Sequence, residues 1–178
     1  MQTYDFTECT RLSDVDIRRI KRILLLRIPG CTEVVRANEA EDYKGTDFWA
    51  KRGDLPPLSI DVKARTKDHL ASRGKDDLAL ETWSNIDSKL PGWTRDPNKR
   101  TDYILFYWRD TARFFILPFP PLCKVFTRYW EEWRETYQTE QQTTHGVRGD
   151  TWESECVFVP RTLVVNTITA WASGSVLD

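Results

Sequence analysis

The sequence is poor in the residues that build most metal and redox centres. It has two histidines, one methionine and four cysteines in 178 residues. Cys9, Cys31, Cys123 and Cys156 are far apart and form no CxxC pair, and His69 and His145 stand alone. That spacing argues against a zinc site, and two histidines argue against a Ser–His–Asp hydrolase. No glycine-rich loop follows a strand-like run, so a nucleotide-binding fold has no support. No apolar run reaches membrane-spanning length, and the first residues carry no leader pattern. The cysteines are therefore read as reduced, buried thiols of a cytoplasmic protein with no membrane partner. Net charge is also scarce: 26 basic against 27 acidic residues give −1. This is not the balance of a non-specific nucleic-acid coat, but it is compatible with an acidic metal site flanked by clustered bases.

What is present is an ordinary globular composition, 40% hydrophobic and 30% charged, in a length that suits one domain over residues 1–178. The pattern reads as α/β. Ser13 to Ile28 is the clearest helix, with Ser13 as N-cap, Asp14 and Asp16 near its positive end, and Ile17, Ile20, Leu24 and Ile28 as its apolar stripe. Thr32 to Arg36 reads as a strand. Asp47, Phe48 and Trp49 read as the next one, and Leu58 to Ala64 as a third after a loop from Arg52 to Pro57. Leu78 to Ser84, Thr101 to Trp108 and Arg113 to Leu117 read as further strands, the last two as a hairpin with the apolar 101–108 run central. Leu122 to Gln138 reads as a helix packing Val125, Phe126, Tyr129, Trp130 and Trp133 on the sheet. Thr139 to Asp150 reads as a flexible polar loop, and Cys156 to Val159 and Leu163 to Ile168 as short strands. The expected architecture is a mixed β-sheet flanked by the 13–28 and 122–138 helices.

The chemistry concentrates between Gly45 and Lys63. Strand alternation puts Asp61 and Lys63 on one face, with Ile60 and Val62 on the other. If the two strands pair, Asp47 comes beside Asp61. Two carboxylates and a backbone carbonyl such as that of Val62 make an all-oxygen nest suited to Mg²⁺. Lys63 then stands where a water or a phosphate oxygen must be held. The bland alternative is a surface hairpin with solvated charges.

An acid, a loop, and then Asp-x-Lys on strands after an N-terminal helix resembles the PD-(D/E)XK nuclease superfamily. Asp47 matches its first acid, and Asp61 with Lys63 its (D/E)xK, preceded by the apolar Ile60. The chain departs from the pattern in having Thr46, not proline, before Asp47. A softer likeness to phage and bacterial members lies in Gly92-Trp93, a basic turn, and Thr101-Asp102-Tyr103 ahead of an apolar strand. Together these cover roughly residues 12–120. The resemblance implies a restriction-endonuclease-like fold and a Mg²⁺-dependent endonuclease acting on DNA, with Mn²⁺ able to substitute.

On that reading Asp47, Asp61 and the Val62 carbonyl hold the metal and Lys63 orients the attacking water. Glu81, on the 78–84 strand, is a second-tier ligand, an exposed ion-paired Glu being its bland alternative. Arg65, Lys67, Arg95, Lys99 and Arg100 are candidate phosphate contacts, with a hydrophilic surface loop as the bland reading of the 65–75 segment. The first helix carries no glutamate, so no third acid is assigned there. Cutting both strands from one site per chain implies a two-fold homodimer. Two other readings stay open: an inactive nuclease-fold binding protein, and an RNA-directed or structure-specific nuclease such as a junction resolvase.

Overall fold

The computed structural model describes residues 12–42, 44–145 and 150–174. In chain order the elements are α1 (Asp14–Arg27), β1 (Glu33–Arg36), α2 (Glu39–Asp42), β2 (Phe48–Arg52), β3 (Leu55–Arg65), α3 (His69–Arg73), β4 (Asp77–Asn85) and β5 (Leu90–Pro91). After a 3₁₀ turn (Trp93–Arg95) come β6 (Tyr103–Trp108), β7 (Phe114–Pro118), α4 (Phe119–Thr136), β8 (Thr139–His145), β9 (Thr151–Pro160) and α5 (Arg161–Ala172). The protein is thus mixed α/β, and its strands form two mostly antiparallel sheets instead of the expected single one. The chain divides into two compact units. Of the described residues, one takes those within 12–68 and 98–120; the other takes those within 69–97 and 121–174.

The first unit is built on a five-stranded sheet ordered β1-β2-β3-β6-β7. β1, β2 and β3 form an antiparallel meander, β6 lies parallel to β3, and β7 returns antiparallel as the expected hairpin partner. β6 is an interior strand, as its unbroken apolar run requires. α1 starts where the sequence indicated, at a capping box: Ser13 Oγ accepts the Asp16 N–H, and the Asp16 carboxylate accepts the Ser13 N–H. Its Ile20, Leu24 and Ile28 are buried with Phe48, Ile60, Leu105 and Tyr107. Partners in register share a face, so α1 covers the face of Ile60, Val62 and Ala64. Asp61, Lys63 and Arg65 lie on the opposite face, in line with Ile104, Phe106 and Trp108.

Two local readings differ here. Asp47 precedes β2 instead of sitting within it, and β3 begins at Leu55, so the loop shrinks to Gly53 and Asp54. Pro56 and Pro57 are accommodated because the pairing slips at a bulge between Ala50 and Arg52, where the Arg52 guanidinium donates to the Pro56 carbonyl.

The second unit carries an antiparallel sheet ordered β5-β4-β9-β8. Three expectations fail in it or at its border. The 139–145 run is a strand, because it pairs residue for residue along β9 in place of forming a loop. The 163–168 run is helical: Val164 and Ile168, four apart, are the buried pair of α5, and the Thr167 and Thr169 hydroxyls donate back to the Leu163 and Val165 carbonyls. A buried i, i+4 stripe here outweighs the strand preference of β-branched residues. The polar segment after β3 includes the short helix α3. Of the three described cysteines, all free, only Cys123 is buried; Cys31 and Cys156 are half-buried. Among the described residues no helix is long and apolar enough to cross a membrane.

The first unit closes around Asp68, which is 2% exposed. Its carboxylate takes a bidentate pair from Arg113 at 2.6 and 2.8 Å and a hydrogen bond from the Thr111 hydroxyl, while the guanidinium lies 3.7 Å over the Trp108 ring. Removing one partner of a buried pair strands the other. Asp68→Ala is therefore expected to lower unfolding free energy by about 2–4 kcal/mol in urea titration. A loss under about 0.5 kcal/mol, the range of ordinary surface changes, is the contrary result.

Candidate active site

Asp47 and Asp61 meet through strand register. The last β2–β3 pair is Phe48 with Ile60, and Asp47, immediately before β2, lies beside the next β3 residues, Asp61 and Val62. The Asp47 N–H donates to the Ile60 carbonyl at 2.9 Å, so Asp47 shares Ile60 with Phe48 at the end of the pairing. The Asp61 charge acts directly on the Asp47 carboxyl, so the two side chains are neighbours. Asp47 Oδ2 accepts the Val62 N–H at 2.6 Å. In a strand the N–H and C=O of one residue point to the same edge, so the Val62 carbonyl opens toward Asp47, past the last β2 pair.

Asp61 is 4% exposed, yet it is charged and compensated. Its Oδ2 lies 2.9 Å from Lys63 Nζ and 2.9 Å from Lys99 Nζ. Both contacts are at ion-pair distance on one oxygen. Burial pushes the Asp61 carboxyl up, but the Lys63 and Lys99 charges outweigh it and hold the group below the usual carboxylate range. Asp47 goes the other way. Burial, then the neighbouring Asp61 charge, raises it to about 7, against the opposing Val62 N–H and Lys63. Two adjacent carboxylates with one of them reluctant to ionise make a pair that holds a proton until a stronger cation replaces it.

Lys99 is the residue whose place the sequence did not signal. Expected as a phosphate contact, its side chain is 8% exposed and stands against Asp61. It arrives there because the 98–102 segment runs beside 44–46. Arg100 N–H donates to the Lys44 carbonyl, Thr46 Oγ1 donates to the Arg100 carbonyl at 2.9 Å, and Thr101 Oγ1 donates to the Gly45 carbonyl. The Lys99 stem then packs on Gly45, whose φ of +91° suits glycine. A Cβ at Gly45 would overlap the Lys99 ammonium.

Arg65 is half-buried at the end of the same face of β3, and Lys67 and Arg100 are exposed. Glu81 and Arg95 belong to the second unit. Glu81 accepts the Trp93 N–H at 2.8 Å, closing the turn at Gly92, where a Cβ would strike the Glu81 carbonyl. The Arg95 guanidinium donates to the Thr82 carbonyl and is stacked 4.3 Å from Trp83 and 3.9 Å from Trp130. In α1 the buried acid Asp16 is spent on the other face of the sheet, on Ser13 and the Tyr107 hydroxyl. Among the described residues no three His, Cys, Asp or Glu side chains converge, so any cation here relies on two carboxylates, a backbone carbonyl and water. Comparison with protein-family models, curated proteins and solved structures gave no match.

The raised Asp47 carboxyl sets a pH signature. Between its unfolded value of 3.8 and about 7 the folded protein binds more protons than the unfolded chain. Its contribution to stability is therefore present below 3.8 and lost as pH rises toward and past about 7. Asp61, lowered, has the opposite sign and loses its contribution as pH falls through its folded value. In metal-free buffer, Asp47→Asn is expected to flatten the fall in Tm between pH 5 and pH 8 by several degrees in calorimetric scans. Parallel wild-type and variant curves would contradict the assignment.

Proposed function

We propose that this chain is a divalent-metal-dependent endonuclease that hydrolyses phosphodiester bonds, DNA being the expected substrate, on a restriction-endonuclease-like fold. The observation that carries the reading is the Asp47 carboxyl beside Asp61, its Oδ2 on the Val62 N–H, with Lys63 two residues beyond Asp61 on β3. The acids lie at adjacent antiparallel strands after an N-terminal helix, in a mixed sheet, which supports the resemblance read from the sequence.

The donors fit Mg²⁺, with Mn²⁺ able to substitute: carboxylate and carbonyl oxygens only, and a carboxyl at Asp47 whose proton a divalent cation would displace. Asp47, Asp61 and the Val62 carbonyl would hold it. When bound, such a cation lowers the pKa of water and offsets charge on the phosphoryl oxygens. Hydrolysis forms a new P–O bond to the water oxygen and breaks the ester P–O bond, and the water's proton leaves through solvent to the departing alkoxide. Lys63, 30% exposed, is the cation able to reach a non-bridging phosphate oxygen and stabilise its developing charge. Arg65 follows on the same face about 7 Å further along the strand, with Lys67 beyond it. With Arg100 they can position backbone phosphates without reading bases. A second copy of the chain is needed if both strands are cut.

The test is cleavage of supercoiled plasmid, single-stranded DNA and RNA with Mg²⁺, Mn²⁺ or EDTA. Metal-dependent cutting is expected, reduced by about 10²-fold or more in both Lys63→Ala and Asp61→Ala. Cutting that survives both substitutions puts the chemistry elsewhere. No cutting on any substrate, with DNA bound equally by all three proteins, supports a binding protein that keeps the fold without the activity.

A further inference from the structure

Lys99 is a lysine that the proposed chemistry does not need. Lys63 already supplies the ammonium beside Asp61, and it is the more accessible of the two, its side chain 30% exposed against 8% for Lys99. Lys99 is instead built in. Its stem is packed on the positive-φ Gly45, and the strand of chain that carries it is tied to residues 44–46 by hydrogen bonds from Arg100, Thr46 and Thr101. A long, flexible ammonium held this firmly on one carboxylate oxygen acts as a fixed cation.

That position decides how many ions the centre can take. A carboxylate serves two metal ions by giving one oxygen to each, and two-metal phosphodiesterase sites place those ions about 3.5–4 Å apart. Here Asp61 Oδ2 already has two ammoniums at 2.9 Å. What remains on this face is the other Asp61 oxygen, the Asp47 carboxylate and the Val62 carbonyl, a donor set for one ion completed by water. Among the described residues no third carboxylate converges on the pair. Charge agrees: two carboxylates and two ammoniums cancel, so one divalent ion leaves the cluster doubly positive and a second would leave it quadruply so.

Resting on the metal-dependent reading above, we infer that Lys99 stands in for a second metal ion, so that the centre binds one divalent cation per chain. Lys99 is thus a positioning residue: it holds Asp61 in place when Lys63 turns to a phosphate.

Mn²⁺ binding, counted by electron paramagnetic resonance and calorimetry without nucleic acid, tests this apart from cleavage. Wild type is expected to bind one Mn²⁺ per chain, Lys99→Arg one, and Lys99→Glu two, because the variant removes the fixed cation and adds a carboxylate. Two ions on wild type, with metal-dependent cutting intact, overturn the inference and leave the nuclease reading standing. A Lys99→Glu protein that is folded by circular dichroism and still binds one ion also overturns it. No ion on wild type removes the metal-dependent reading and the inference with it, whatever Lys99→Glu binds. The wild-type count needs no variant to fold.

Discussion

A carboxylate that is 4% exposed and still ionised is the constraint around which the first unit is arranged. Burying the Asp61 charge is costly unless it is paired, and one surface lysine would not suffice. The chain answers with two ammoniums on the same oxygen, one from β3 itself and one from the segment leading into β6. The second requires a glycine at position 45, a left-handed turn there, and threonines at 46 and 101 to tie the two segments together. Several sequence features that look unremarkable separately are thus consequences of one electrostatic requirement.

The same constraint explains the asymmetry between the two acids. Both are crowded into one corner of the sheet, but the lysines face Asp61. Asp47 is left with the Val62 N–H and its neighbour's charge, and it holds its proton to about 7. Two carboxyl groups of one residue type are pushed apart by environment, as occurs at sites that bind cations or move protons.

Strand alternation and helical spacing carried much of the fold in the sequence. Asp61-x-Lys63 on one face, the α1 stripe of Ile20, Leu24 and Ile28, and the β6–β7 hairpin were all legible, because each depends on residues near one another in the chain. Local preference misled where partners were remote. β8 has no apolar alternation and exists because β9 pairs with it, while the Val-rich start of α5 is helical through its buried Val164–Ile168 stripe. The site shows the same division. Asp61 and Lys63 follow from alternation along β3, and Asp47 from the β2–β3 pairing that ends beside it. Lys99 does not, because a turn-rich basic stretch says nothing of which cation folds inward. Glu81 and Arg95 were attractive as charges, yet each is taken up by the turn it closes or the indoles it stacks on.

The most direct measurement is anomalous diffraction from a crystal of the wild-type chain equilibrated with Mn²⁺. A single peak within coordination distance of Asp47, Asp61 and the Val62 carbonyl is the result this account predicts. A crystal at saturating Mn²⁺ with no peak there, or with the ion held by other residues, would contradict it.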